Sequence, residues 1–253
     1  MPEPTVIITH PKYLEDYPTA SAECPARIKA ILSALEELPH QTPEPAAEED
    51  ILRVHTRAHY EEIKRFAVYE VAMLSAGGAI SAGDIGLTGQ PAFAVIRPPG
   101  HHASPNDAWG FCFFNNMAIT IERMLALGRI KSAMILDIDL HFGDGTDNFF
   151  HGSKDVIVIN IEERIAAAFL DSVSMALAKT PYDIIAVSAG FDNYIKDWGS
   201  TLATQDFYKI GKMVFEAALK NCSGRRFAIL EGGYYLKDLG TNVRAFIDGM
   251  EGK

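Results

Sequence analysis

Short, uninterrupted apolar runs recur along the chain, at residues 6–9, 92–96, 133–138, 156–161, 184–188 and 227–230. They are too short for buried helices and do not alternate apolar with polar, which is the pattern of strands covered on both faces. Longer stretches with apolar residues at steps of three and four lie between them. Ile28, Ile31, Leu32, Leu35 and Leu38 form one such series, with Pro25 placed to open a helix. Residues 116–127, 165–178, 204–219 and 236–247 show the same periodicity. Strand–helix alternation of this kind implies right-handed crossovers and an α/β fold, with a mostly parallel central sheet in a three-layer α/β/α arrangement. The segment 39–50, rich in Pro, Glu and Ala, is expected to be a surface connection inside one domain spanning residues 1–253.

Composition narrows the choice of partners. The chain has 253 residues, 48% of them hydrophobic, and a formal charge of −10. That charge argues against nucleic acid as a partner and permits attraction of a cationic substrate. No run approaches a membrane span, so no membrane association is expected. Cys24, Cys112 and Cys222 are too few and scattered for a disulfide framework, and the first residues lack a basic segment before a long apolar one. Both features point to the cytoplasm.

The chemistry lies in polar clusters placed just after apolar runs. They are Arg97-Pro-Pro-Gly-His-His102, Asp137-Ile-Asp-Leu-His141 with Asp144, Ser188-Ala-Gly-Phe-Asp192 and Glu231-Gly-Gly-Tyr234. Loops beyond the carboxyl ends of parallel strands converge on one crevice, so these groups can meet. In Asp137-x-Asp139-x-His141 the step of two puts three side chains on one side of an extended segment. Carboxylate oxygen and imidazole nitrogen suit zinc or another first-row divalent ion, and Asp192 supplies a third ligand while leaving a position open for water and substrate. Each feature alone has a structural alternative, since a strand-end Asp often caps a loop and a His pair is often packed. Together they leave Asp137 and Asp144 free to accept hydrogen bonds from the Nδ1 side of His101 or His102. Gly100 is expected to permit a turn, and Gly232-Gly233 to let the backbone come close and aim the Tyr234 hydroxyl at a developing oxyanion. Metal-assisted hydrolysis of an acyl bond fits this set, with a histidine as acid and base. Cys112, between aromatics, reads as packed and unreactive.

These segments, together with Gly110-Phe-Cys-Phe-Phe-Asn-Asn116, resemble the histone deacetylase and acetylpolyamine amidohydrolase family of the arginase-deacetylase fold. Their order and spacing also match, and weaker likeness extends through Glu23-Cys-Pro-Ala-Arg27, Val54-His55, Asp197 and Gly199. The resemblance implies zinc on Asp139, His141 and Asp192. It implies His102 as general base and acid oriented by Asp144, His101 paired with Asp137, and Tyr234 polarising the carbonyl. Gly110 and Phe111 would line the acyl-lysine channel. Potassium is implied beside the zinc, on Asp137, Asp139 and His141 with Asn160 nearby, and at a second site on Phe150, Ser153 and Val156. The chain departs from the family at Phe142, Asn160 and Tyr194, where His or Tyr, Ser and His are usual. Only 31 residues lie between Asn160 and Asp192, so the long substrate-facing loop is missing and 161–165 stand in its place. Asp84 is expected on a solvated loop rather than at the gate of the site.

The leading reading is a zinc deacetylase acting on an N-acylated amine, either a small cationic acetylpolyamine or acetyl-lysine. Glu162, Glu163 and Asp107 are candidates to attract the cation. A two-manganese ureohydrolase on the same fold and a non-catalytic acyl-ligand scaffold are the alternatives. The shortened loop leaves an open entrance that a second subunit of a homo-oligomer would be able to wall off.

Overall fold

The computed structural model describes residues 3–179 and 182–253. Its centre is a seven-stranded sheet in which every adjacent pair is parallel. The strands are β1 (Val6–Ile8), β2 (His40–Gln41), β3 (Ala92–Ala94), β6 (Ala133–Asp137), β7 (Val156–Asn160), β8 (Ile185–Ala189) and β9 (Arg226–Leu230). A separate antiparallel hairpin joins β4 (Ala103–Ser104) to β5 (Asp107–Ala108). All six runs read from the sequence as strands are strands. Each residue of β3, β6, β8 and β9 is buried, as continuous apolar runs require.

Strand order is β2-β1-β3-β9-β8-β6-β7. The four strands that carry the polar clusters, β3, β9, β8 and β6, are therefore consecutive, and their carboxyl ends lie side by side. The last of them in the chain, β9, occupies the middle. Helices α4 (Tyr69–Gly86) and α5 (Asn116–Ala126) pack together, with α4 against β1, β3 and β9. A second packed set comprises α1 (Pro25–Ser33), α7 (Ala166–Leu177), α8 (Thr204–Asn221) and α9 (Leu236–Met250). The remaining helices are short: α2 (Glu48–Ile51), α3 (Arg57–Ile63) and α6 (Asp144–Phe150).

Helix α4 has no polar face to betray it in the sequence. Most of its residues are buried, and small ones dominate. At Gly86 an added Cβ would lie 2.7 Å from the Arg226 carbonyl oxygen of β9, so glycine is what lets helix and sheet touch. Asp84, expected on a loop, belongs to this helix and pairs with Arg123 and Arg129. Segment 39–50 is mixed rather than wholly superficial: it holds β2 and the start of α2, and Pro43, Ala46 and Asp50 are buried. The three cysteines are free, and no described helix is long and apolar enough to cross a membrane.

Candidate active site

Burial of each strand-end motif fixes its polar residue. Phe191 is fully buried among Phe93, Phe207 and Phe246, which anchors Asp192 at the end of β8. Strand β6 stops at Asp137, so the Asp-x-Asp-x-His run is not one extended strand. Hydrogen bonds shape it instead. Asp137 Oδ1 accepts from the Asp139 amide (3.0 Å), Asp139 Oδ1 from the His141 amide (2.9 Å) and Asp192 Oδ1 from the Leu140 amide (3.0 Å). Gly232 closes the other side: its amide donates to Asp139 Oδ2 at 2.7 Å, and a Cβ there would lie 2.6 Å from that same oxygen. Gly100 has a different reason from the one its sequence context suggests. Its φ is not positive; a side chain would meet the Asn116 amide at 2.6 Å.

Asp139, His141 and Asp192 each place one ligand atom within 4.8 Å of the others, and among the described residues no other three His, Cys, Asp or Glu side chains do so. His141 Nδ1 lies 3.1 Å from Asp139 Oδ1 and 3.0 Å from Asp192 Oδ2. Asp192 Oδ2 is nevertheless buried without a hydrogen bond. Burial and the charge of Asp139 push the Asp192 carboxyl up to about 7, and its two neighbours lift His141 to about 10. Two buried carboxylates, an imidazole and an orphaned oxygen form a donor set that fits a divalent cation.

The His pair sits beside this cluster. His101 Nδ1 is 3.0 Å from Asp137 Oδ2, and His102 Nδ1 is 2.7 Å from Asp144 Oδ1. Burial opposes charge on His101, but Asp137 and Asp139 outweigh it and hold this imidazole well above its usual range. Burial, with charged His101 beside it, lowers His102 to about 4 despite Asp144. The two rings, 4.0 Å apart, therefore differ in proton affinity. Tyr234 lies over the same cavity, its backbone amide held by Asp197 Oδ2 at 2.6 Å. Burial raises its phenol far above the ordinary range, so the hydroxyl keeps its proton as a donor. Arg27, fully buried, supports this turn from behind by donating to the carbonyls of Gly233 (2.7 Å) and Glu231 (2.5 Å).

The cavity, of about 150 Å³, is walled by Trp109, Gly110, Phe111, Trp198 and Tyr234, with His102 and His141 deeper in. Gly110 takes a left-handed conformation (φ +65°) that turns the chain between Trp109 and Phe111. Glu162, Glu163 and Asp107 do not line the cavity; Glu163 instead accepts from Ser172 in the middle of α7. Cys112 is buried and its thiol pushed well up by burial, as its aromatic surroundings suggest. Of the residues linked to potassium, Asn160 Oδ1 accepts from the Gly143 amide (2.8 Å), which draws it to the Asp137 loop. Phe150, Ser153 and Val156 meet in the α6–β7 turn, at the amino end of β7 and so away from the crevice. Trp109 and Trp198 were not legible as site residues. They are the chain's two tryptophans, both are half exposed, and Trp198 stacks on Tyr234 with centroids 4.1 Å apart.

A family model described as the histone deacetylase domain matches residues 66–169 and 162–250. The chain belongs to the histone deacetylase family. The two matched segments overlap at 162–169. A probable deacetylase of Methanothermobacter thermautotrophicus is 30% identical over 306 aligned positions, covering 98% of this chain and 91% of that one. That alignment is longer than the chain, so it spans residues this member of the family lacks. A histone deacetylase-like amidohydrolase of Pseudomonas aeruginosa is 30% identical, covering 85% of this chain and 72% of its own length. An acetylpolyamine amidohydrolase of Mycoplana ramosa is 29% identical over 73% of this chain and 64% of its own. In fold, the crystal structure of the HDA15 HD domain superposes with a TM-score of 0.87 at 23% identity, covering 99% of this chain and 90% of that one. Membership makes the chain a deacetylase-type hydrolase of amide bonds.

Proposed function

We propose that the protein is a zinc-dependent deacetylase that hydrolyses the amide of an N-acylated aliphatic amine, such as an acetylpolyamine or an acetyl-lysine side chain. The observation that supports this reading is the meeting, at one aromatic cavity, of a trio whose donors fit a divalent cation, a neutral imidazole and an unionised phenol. Asp139, His141 and Asp192 would hold the zinc, which when bound supplies Lewis acidity to the acyl carbonyl and the attacking water. His102 works from Nε2, because Nδ1–H is engaged by Asp144. It takes the water proton there and delivers it to the leaving amine. His101, kept charged by Asp137, stabilises negative charge as it develops, and the Tyr234 hydroxyl donates to the oxyanion. Phe111 with Gly110, and Gly232 across the cavity, leave a slot for an alkyl chain. Among the described residues that line it none is a carboxylate, which favours recognition of the chain and its amide over recognition of charge.

Zinc-loaded protein incubated with an acetylpolyamine and with an acetyl-lysine peptide should release acetate from at least one. A chelator should stop release and zinc restore it, and Tyr234→Phe should lower kcat by about 10²–10³. No release from any N-acyl amine at full zinc occupancy would sink the reading.

A further inference from the structure

We infer that Trp109 is a positioning residue for the His102–Asp144 pair, an inference that rests on His102 being the base proposed above. The hairpin β4–β5 pairs Ala103 with Ala108 and Ser104 with Asp107 across a two-residue Pro105-Asn106 connection. Extending that register by one step sets His102 directly opposite Trp109. Opposed residues of an antiparallel pair have side chains close enough to touch, and here they do: indole and imidazole centroids lie 3.8 Å apart, tilted by 32°. His101 lies 4.0 Å from the same imidazole by ring centroid, so His102 is in contact with two rings.

The indole does more than cover the imidazole. Its Nε1–H donates to Asp144 Oδ2 at 2.8 Å, while Asp144 Oδ1 receives His102 Nδ1 at 2.7 Å. Asp144 thus has one oxygen assigned to each ring. An aspartate at the first position of a short helix, its side chain 36% exposed, would otherwise be free to turn its carboxylate toward water. A second, charge-assisted donor fixes the carboxylate plane and with it the tautomer of His102. The hairpin that delivers Trp109 is itself tethered, through the Thr56 amide to the Pro105 carbonyl (2.7 Å) and His55 Nδ1 to the Ser104 carbonyl (3.1 Å). Trp109, Asp144 and His102 therefore form one closed set of contacts beside the cavity.

Trp109→Phe keeps the ring and removes the N–H. In zinc-loaded protein acting on an acetylated amine we expect kcat to fall about tenfold with KM changed less than threefold, as suits loss of one charge-assisted hydrogen bond. In an Asp144→Ala background the same change should cost nothing further, since the indole acts through that carboxylate. The downfield Nδ1 proton resonance of His102 should also shift in Trp109→Phe, in protein whose thermal melt matches the parent. Unchanged kcat with an unmoved resonance, or losses from the two substitutions that simply multiply, would overturn the inference. Failure of the parent protein to hydrolyse any acyl amine would instead overturn the proposed activity, and the resonance would still decide the role of Trp109.

Discussion

His101 and His102 are neighbours in the chain with the same side chain, yet the protein gives them opposite shifts in proton affinity. The difference lies in what faces each ring: two buried carboxylates for His101, one half-exposed carboxylate and a charged imidazole for His102. A base must be neutral before it can accept a proton. His102 is lowered to about 4, so it stays neutral as pH falls through the usual imidazole range and becomes charged only near its own value. A cation on Asp139, His141 and Asp192 acts in the same direction. The acid limb of kcat/KM should accordingly lie well below pH 6.5; a limb at or above that value would contradict the assignment of roles. The identity of the groups was readable from residue types and spacing. Their proton affinities were not, because those depend on burial and on which carboxylate meets which ring.

Among the elements, α4 illustrates where sequence periodicity fails. Gly86→Ala should raise intrinsic helix propensity by about 0.5–1 kcal/mol. Its new Cβ would sit 2.7 Å from the Arg226 carbonyl and 3.0 Å from Phe227 Cβ, neither of which can swing aside. Overpacking of this kind costs about 1–3 kcal/mol, so the substitution should destabilise the protein on balance, as urea unfolding would show. A gain in stability would mean that the helix–sheet contact is looser than described. The glycine and alanine content that permits this contact also erases the helical stripe, and so the helix was not predicted. The six strands were legible for the opposite reason, since burial on both faces writes itself as an apolar run. The hairpin β4–β5 was not, because two-residue strands carry no pattern. Trp109 was missed with it: only the register sets it against His102.

At the scale of the whole molecule, the proposed cation ligands Asp139, His141 and Asp192 lie just beyond the ends of two separate strands, so removing a bound cation should be felt globally. Apo protein leaves the Asp139 and Asp192 carboxylates buried and facing each other. Zinc at a hundredfold excess over its Kd would add about 2.7 kcal/mol, or roughly 5–10 °C in melting temperature for a chain of this size. Calorimetry before and after chelation tests this; coincident melts would show that the trio holds no metal. The sheet order has a temporal consequence as well. A ribosome makes β9 last among the strands, yet β9 is the one that joins β3 to β8. On either side of it, the His pair follows a strand of one half of the sheet and the three proposed metal ligands follow strands of the other. The last-made of these strands is thus the seam at which the His pair and the candidate metal ligands are brought side by side.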